Sequence, residues 1–156
     1  MKKYLQKKLN NEKGMTLIEL LAVIVIIAII AAIAIPAIGN IIENSRYSAV
    51  KADGTNVLSA ANLYFIENAD KTKVSTTTLK TAGFLESAGK IPVPASVADD
   101  SAANFVTKNG GTLALTTTAI TFSGTKKLTF SAATVDSINK DSAKGSDSGD
   151  KTIPAQ

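Results

Sequence analysis

The stretch NEKGMTLIELLAVIVIIAIIAAIAIP, residues 11–36, decides how the rest of the chain is read. From Leu20 to Ile35 sixteen residues pass without a charge or a hydroxyl. At about 1.5 Å per residue this run covers roughly 24 Å of helix, against a hydrocarbon core of about 30 Å in a bilayer. Met15 to Ile18 on one side, and Ala37 with Ile38 on the other, complete a span, so residues 15–38 are expected to form a membrane-crossing helix. Lysines crowd the segment in front of it, which predicts a cytoplasmic N-terminus.

Three fates fit that pattern. A secretory signal peptide would use Ala32-Ile33-Ala34 as a small-x-small cleavage site. A permanent single-span anchor would need no cleavage. Neither has a use for Glu19, a carboxylate at the lip of the apolar run, whose place in a membrane span costs about 2.5 kcal/mol or more. The third fate is a cut between Gly14 and Met15. The new α-ammonium of Met15 would then lie one helical turn from Glu19 and neutralise it, in its own chain or in a neighbour.

The charge distribution sharpens the division between front and body. The whole chain has 156 residues and a formal net charge of +4, but residues 1–14 hold five lysines against Glu12 alone. The remainder carries twelve basic and twelve acidic side chains, so nucleic-acid binding by the body has no electrostatic support. Cysteine, histidine and tryptophan are absent. That removes disulfides, thiol nucleophiles, imidazole bases and the usual zinc ligands, and leaves oxygen ligands as the only means of holding a metal. The composition points to structure rather than catalysis; no cofactor or metal is expected.

Gly14-Met15-Thr16-Leu17-Ile18-Glu19, after a short basic leader and before an apolar helix with Pro36, closely resembles the class III signal of type IV pilins and related pseudopilins. The resemblance runs from residue 9 to about residue 50, with Met15 in place of the commoner phenylalanine. It implies cleavage after Gly14 by a membrane-embedded prepilin peptidase, which also N-methylates Met15. It further implies that Glu19 pairs with the N-terminus of an adjacent subunit as a helical homopolymer assembles, driven by an assembly ATPase and its inner-membrane platform. The protein would be a single-pass prepilin in the cytoplasmic membrane before it becomes part of an extracellular filament. Among resembled proteins, the lack of cysteine is closest to several pilins of Gram-positive organisms.

Beyond Pro36 the chain turns amphipathic: Ile38, Ile42, Ala49, Ala52, Leu58, Ala61 and Phe65 recur at helical spacing between charged residues. A helix is expected from about Met15 to about Asn68, with its second half at 39–68 covering a core. Pro36 removes a backbone donor and Gly39 loosens the next turn, which predicts a kink. Residues 69–102 read as an irregular connection with a short helix in LKTAGFLESAG, residues 79–89. In residues 103–135, Leu113, Leu115, Ile120, Phe122, Leu128 and Phe130 follow period two between glycine turns, as expected of a small antiparallel sheet with one covered face.

Residues 136–156 are Ser, Asp, Lys and Gly in mixed order and are expected to be a flexible tail. DSAKGSDSGDK within it has the oxygen-rich composition of calcium loops without the spacing of one. The fold class expected is therefore α+β, a long N-terminal helix on a small sheet, which is also the pilin architecture. The leading functional reading is a major pilin whose filament serves adhesion, twitching motility or DNA uptake. A pseudopilin of a secretion or competence machine shares the whole N-terminus, and a secreted domain released after Ala34 lacks any recognisable catalytic constellation.

Overall fold

The computed structural model describes residues 2–94 and 103–155, with side chains from Leu17 onward. Two compact units divide the chain, Met1–Asn40 and Ile41–Gln156. Helix α1, Lys2–Glu67, contributes to both. It begins upstream of the expected start at Met15, in a segment whose five lysines, with Leu5, Gln6, Leu9 and Glu12, are good helix formers. It stops at Glu67, where Asn68 doubly caps the carbonyl of Tyr64, its backbone N–H donating at 2.9 Å and its side-chain amide at 3.0 Å.

In the second unit α1 buries Tyr47, Val50, Gly54, Val57, Leu58, Ala61 and Phe65, at spacings of three and four. Leu58, Ala61 and Phe65 are as expected. Ile42, Ala49 and Ala52 are not: they are exposed, and the buried stripe is rotated toward Tyr47 and Val50. Small and aliphatic residues alone defined the wrong face. The ring of Tyr47 packs on Phe122 with centroids 5.3 Å apart, and Gly54 lets the sheet approach the helix backbone. A Cβ on Gly54 would stand 2.8 Å from Phe130 Cζ and 3.4 Å from Leu115 Cδ2.

The remaining elements are β1 (Lys73–Ser75), α2 (Thr76–Thr81), β2 (Phe105–Asn109), β3 (Thr112–Thr116), β4 (Ile120–Ser123), β5 (Lys126–Ser131), α3 (Val135–Lys140) and β6 (Lys151–Pro154). The α+β arrangement, a long N-terminal helix followed by a small antiparallel sheet, is as the sequence led one to expect. The strands form two three-stranded sheets rather than one, β1-β2-β3 and β4-β5-β6. All pairs are antiparallel except β5 with β6. Beyond β3 the chain leaves the first sheet and lines up beside β5. Leu115 and Ala133 exchange backbone hydrogen bonds of 2.8 Å, Thr117 N–H donates to Phe130 O at 2.9 Å, and Ile120 then pairs with Leu128. The bend between is held by buried Asn104, whose Oδ1 accepts from Thr118 N–H at 2.8 Å.

Hairpin β2–β3 turns through Gly110 and Gly111, both at positive φ (55° and 96°), the pattern of a type I′ turn. The short helix of the connection sits earlier than expected, at Thr76–Thr81. Ser75 caps it by accepting from Thr78 N–H at 3.0 Å, and Gly83, at φ 82°, ends the turn that follows. Residues 95–102 of the expected connection lie outside the described residues.

The flexible tail requires correction. Residues 136–156 contain most of α3 and all of β6, and they bury Ile138 and Ile153 at 2% and 1% exposure. Thr134 and Ser137 close a capping box at the start of α3, and β6 pairs in parallel with β5, bringing Ile153 beside Phe130. Two apolar anchors set fifteen residues apart give a composition-based reading nothing to see, yet they suffice to fix the segment between them.

Candidate functional site

The first unit contains the residues that the sequence singles out for processing and assembly. Gly14 and Met15 fall within α1, and their side chains lie outside the described residues. From Leu17 to Ile35 the large apolar side chains are between 48% and 73% exposed, on every side of the helix. Such a surface needs lipid or other helices around it. The segment meets the length and composition of a membrane span near the N-terminus, and none of its most apolar window is buried. Glu19 lies on this surface, exposed, and among the described residues no side chain pairs with it. The helix passes through Pro36 and Gly39, and Gly39 has open space where a side chain would stand.

Together these positions define a chemistry. A cut between Gly14 and Met15 would create an ammonium at i−4 from Glu19, and the positive N-terminal end of the shortened helix would add to its attraction for a carboxylate.

Comparison with known proteins bears on this segment. The prokaryotic N-terminal methylation motif matches residues 9–35, and it is the class III signal of type IV pilins. The motif supports a type IV pilin-like or pseudopilin protein, points to a structural role, and implies processing by a prepilin peptidase and assembly into pili. The apolar helix and the motif both fit membrane anchoring. The chain as a whole matches no curated protein and no solved structure.

A second constellation lies within the second unit, and sequence reasoning missed it. On α1, Asn44, Tyr47 and Lys51 bind the segment that follows α3, and Glu43 binds Lys126, which reaches the same segment. Lys126 Nζ donates to Glu43 Oε2 at 2.8 Å and to the carbonyls of Gly145 and Ser146, each at 3.1 Å. Ser123 Oγ donates to Glu43 Oε1 at 3.2 Å, and Ser146 N–H to Asn44 Oδ1 at 2.9 Å. Tyr47 Oη donates to Asp141 Oδ2 at 2.6 Å, while Lys51 Nζ donates to the same oxygen at 3.1 Å and to Asp141 O at 2.9 Å.

The hydrogen bond from Lys126 holds the Glu43 carboxyl below its ordinary range despite partial desolvation. Burial, helped by Asp141, pushes the Tyr47 hydroxyl well above the tyrosine range, so it remains a donor. Gly145 is required by space. A Cβ there would overlap the Glu43 carbonyl oxygen and stand 2.7 Å from Tyr47 Cβ. The i, i+4 and i+8 spacing of Glu43, Tyr47 and Lys51 was visible in the sequence as one helical face, but their partners lie eighty or more positions away.

Proposed function

We propose that this chain is the major structural subunit of a type IV pilus and has no enzymatic activity of its own. Residues 1–14 are the leader, removed after Gly14 by the prepilin peptidase, which then methylates the nitrogen of Met15. Residues 15–38 serve first as a single-pass anchor, with the N-terminus in the cytoplasm, and then as the core of an extracellular filament. Pro36 and Gly39 provide a kink near the end of that segment. An assembly ATPase and a membrane platform supply the work of extracting the apolar helix from lipid. Adhesion, twitching motility and DNA uptake are the uses that such a filament serves.

The observation that carries this reading is an apolar surface exposed on all sides of the helix, with one carboxylate at its lip, within the stretch that matches the methylation motif. Burial against copies of itself solves two problems at once. It removes the apolar side chains from water and gives Glu19 the ammonium of a neighbouring Met15, offsetting the cost of about 2.5 kcal/mol or more that the lone carboxylate carries in a span. Register follows, because only one axial stagger brings carboxylate and ammonium together.

Two variants test it. Gly14→Ala should leave the leader attached. Glu19→Ala should be cleaved normally but yield few surface filaments. Normal filaments from either variant would contradict the proposal. Processed protein that remains in the membrane without forming long filaments would instead identify a pseudopilin of a secretion or competence system.

A further inference from the structure

At two places an aspartate or asparagine is followed by glycine, the pairing that lets a backbone nitrogen close a five-membered ring on the preceding side chain: Asp53-Gly54 and Asn109-Gly110. Glycine matters because it leaves that nitrogen unhindered. The fold separates the two pairs. Asp53 Oδ2 accepts from Lys90 N–H at 2.8 Å, and Gly54 is buried in α1 beneath Phe130, its nitrogen committed to the helix. Asn109-Gly110 stands at the open tip of the β2–β3 hairpin. Asn109 is exposed, and its side-chain amide meets no partner among the described residues. Gly110 and Gly111 follow, with nothing within 4 Å of the space a side chain would take.

We propose that Asn109 is a site of self-modification, converted to a mixture of aspartate and isoaspartate through a cyclic imide, at a rate set by opening of the hairpin tip. Asn109 paired with Thr112 is the last rung of the ladder. Only that rung has to open for Asn109 to rotate out of its extended backbone and bring its Cγ to the Gly110 nitrogen. The nitrogen, losing its proton, bonds to Cγ; the Cγ–Nδ2 bond breaks, and ammonia leaves with that proton. Water then adds to either imide carbonyl and opens the ring. No oxidant, enzyme or cofactor enters the balance, so the inference stands whether or not the chain forms filaments.

Either product changes the tip. A carboxylate appears next to Lys108, whose ammonium lies 5.8 Å from the centre of the Phe65 ring, and cancels the charge that Lys108 brings there. Isoaspartate also routes the main chain through the side-chain methylene, which lengthens it where residue 109 pairs with Thr112. The turn that was opened for the reaction is thereby left looser by it.

The test is incubation of the purified full-length protein in mild detergent, at neutral and at mildly alkaline pH, followed by peptide mass mapping. The chymotryptic peptide 106–122 contains Asn109 as its only amide side chain. It should gain the mass that replaces an amide by a carboxyl group, sooner at the higher pH, and resolve into two isomers on chromatography. The peptide holding Asp53 should stay a single species. Gly111→Ala keeps the reacting pair but disfavours the closed turn, because an L-residue is strained at φ 96°, and should speed the conversion about fivefold or more. Asn109→Gln, which could close only a larger ring, should leave the peptide unchanged. An Asn109 that stays intact in the folded protein while the urea-unfolded chain is converted would overturn the proposal. So would equal rates in the folded and unfolded chains, or a Gly111→Ala protein converted no faster than the native one.

Discussion

Gly54 and Phe130 make a contact whose energetics can be worked out in advance. Glycine inside a helix costs about 1 kcal/mol relative to alanine, so Gly54→Ala on an exposed face would stabilise. Here the new Cβ would stand 2.8 Å from Phe130 Cζ and 3.1 Å from Cε1, and Phe130 is completely buried. Carbon atoms prefer about 3.5–4.0 Å, and overpacking of this kind costs about 1–3 kcal/mol.

Phe130→Leu removes the two ring atoms in question and by itself should cost about 1–2 kcal/mol in lost burial. In the leucine background the clash is gone, and Gly54→Ala should recover its helix advantage of about 1 kcal/mol. The two substitutions should therefore couple favourably by about 2 kcal/mol, with the double variant more stable than the sum of the singles predicts. Guanidinium unfolding of the four proteins, processed and full length in mild detergent, measures the cycle. Additivity to within about 0.5 kcal/mol would refute the close approach of helix and sheet at Gly54.

Other consequences concern the polar ties and the tail. Glu43 has its folded pKa lowered from an ordinary value of 4.5, so its contribution is present above that value and is lost as pH falls through the lowered folded value. The stability difference between native protein and Glu43→Gln should accordingly be level at neutral pH and shrink on acidification, measured by denaturant titrations across the acid range. Ile153→Asp places an unpaired charge beside Phe130 and should destabilise by about 3–5 kcal/mol, readable as a lowered thermal midpoint, whereas a mobile tail would tolerate it. Asn104→Ala leaves the Thr118 N–H without its 2.8 Å acceptor at the bend between the sheets and should cost about 1–3 kcal/mol in the same assay. Tyr47→Phe removes the 2.6 Å donor to Asp141 and should lower the midpoint by an amount equivalent to about 1–2 kcal/mol.

What could be read in advance followed from strong, local signals. Sixteen consecutive apolar residues, a basic leader and GMTLIE are contiguous, and each constrains the chain without reference to the rest of the fold. Period two in Leu113, Leu115, Ile120, Phe122, Leu128 and Phe130 likewise disclosed the strands that bear them, all but Leu113 being buried. The rest depended on pairings across long separations. The buried face of α1 could not be fixed while Tyr47 and Gly54 were judged without Phe122 and Phe130, their partners in the sheet.

The tail was misread for the same reason. Its average composition is that of a solvated segment, and its order comes from Ile138, Ile153 and lysines supplied by α1 and β5. Glu43 to Lys126 spans eighty-three positions, and Tyr47 to Asp141 ninety-four. No pattern within a helix or a strand reports such a contact. For the candidate site the balance is reversed: its residues were named from sequence, and in the proposed function its partner groups would come from processing and from other copies.

Intact-mass and N-terminal analysis of protein sheared from the cell surface, beside the protein left in the membrane, is the decisive measurement. A sheared form beginning at N-methylated Met15 is the result expected. A mature form beginning at Ile35, or a surface protein that still carries residues 1–14, would contradict it.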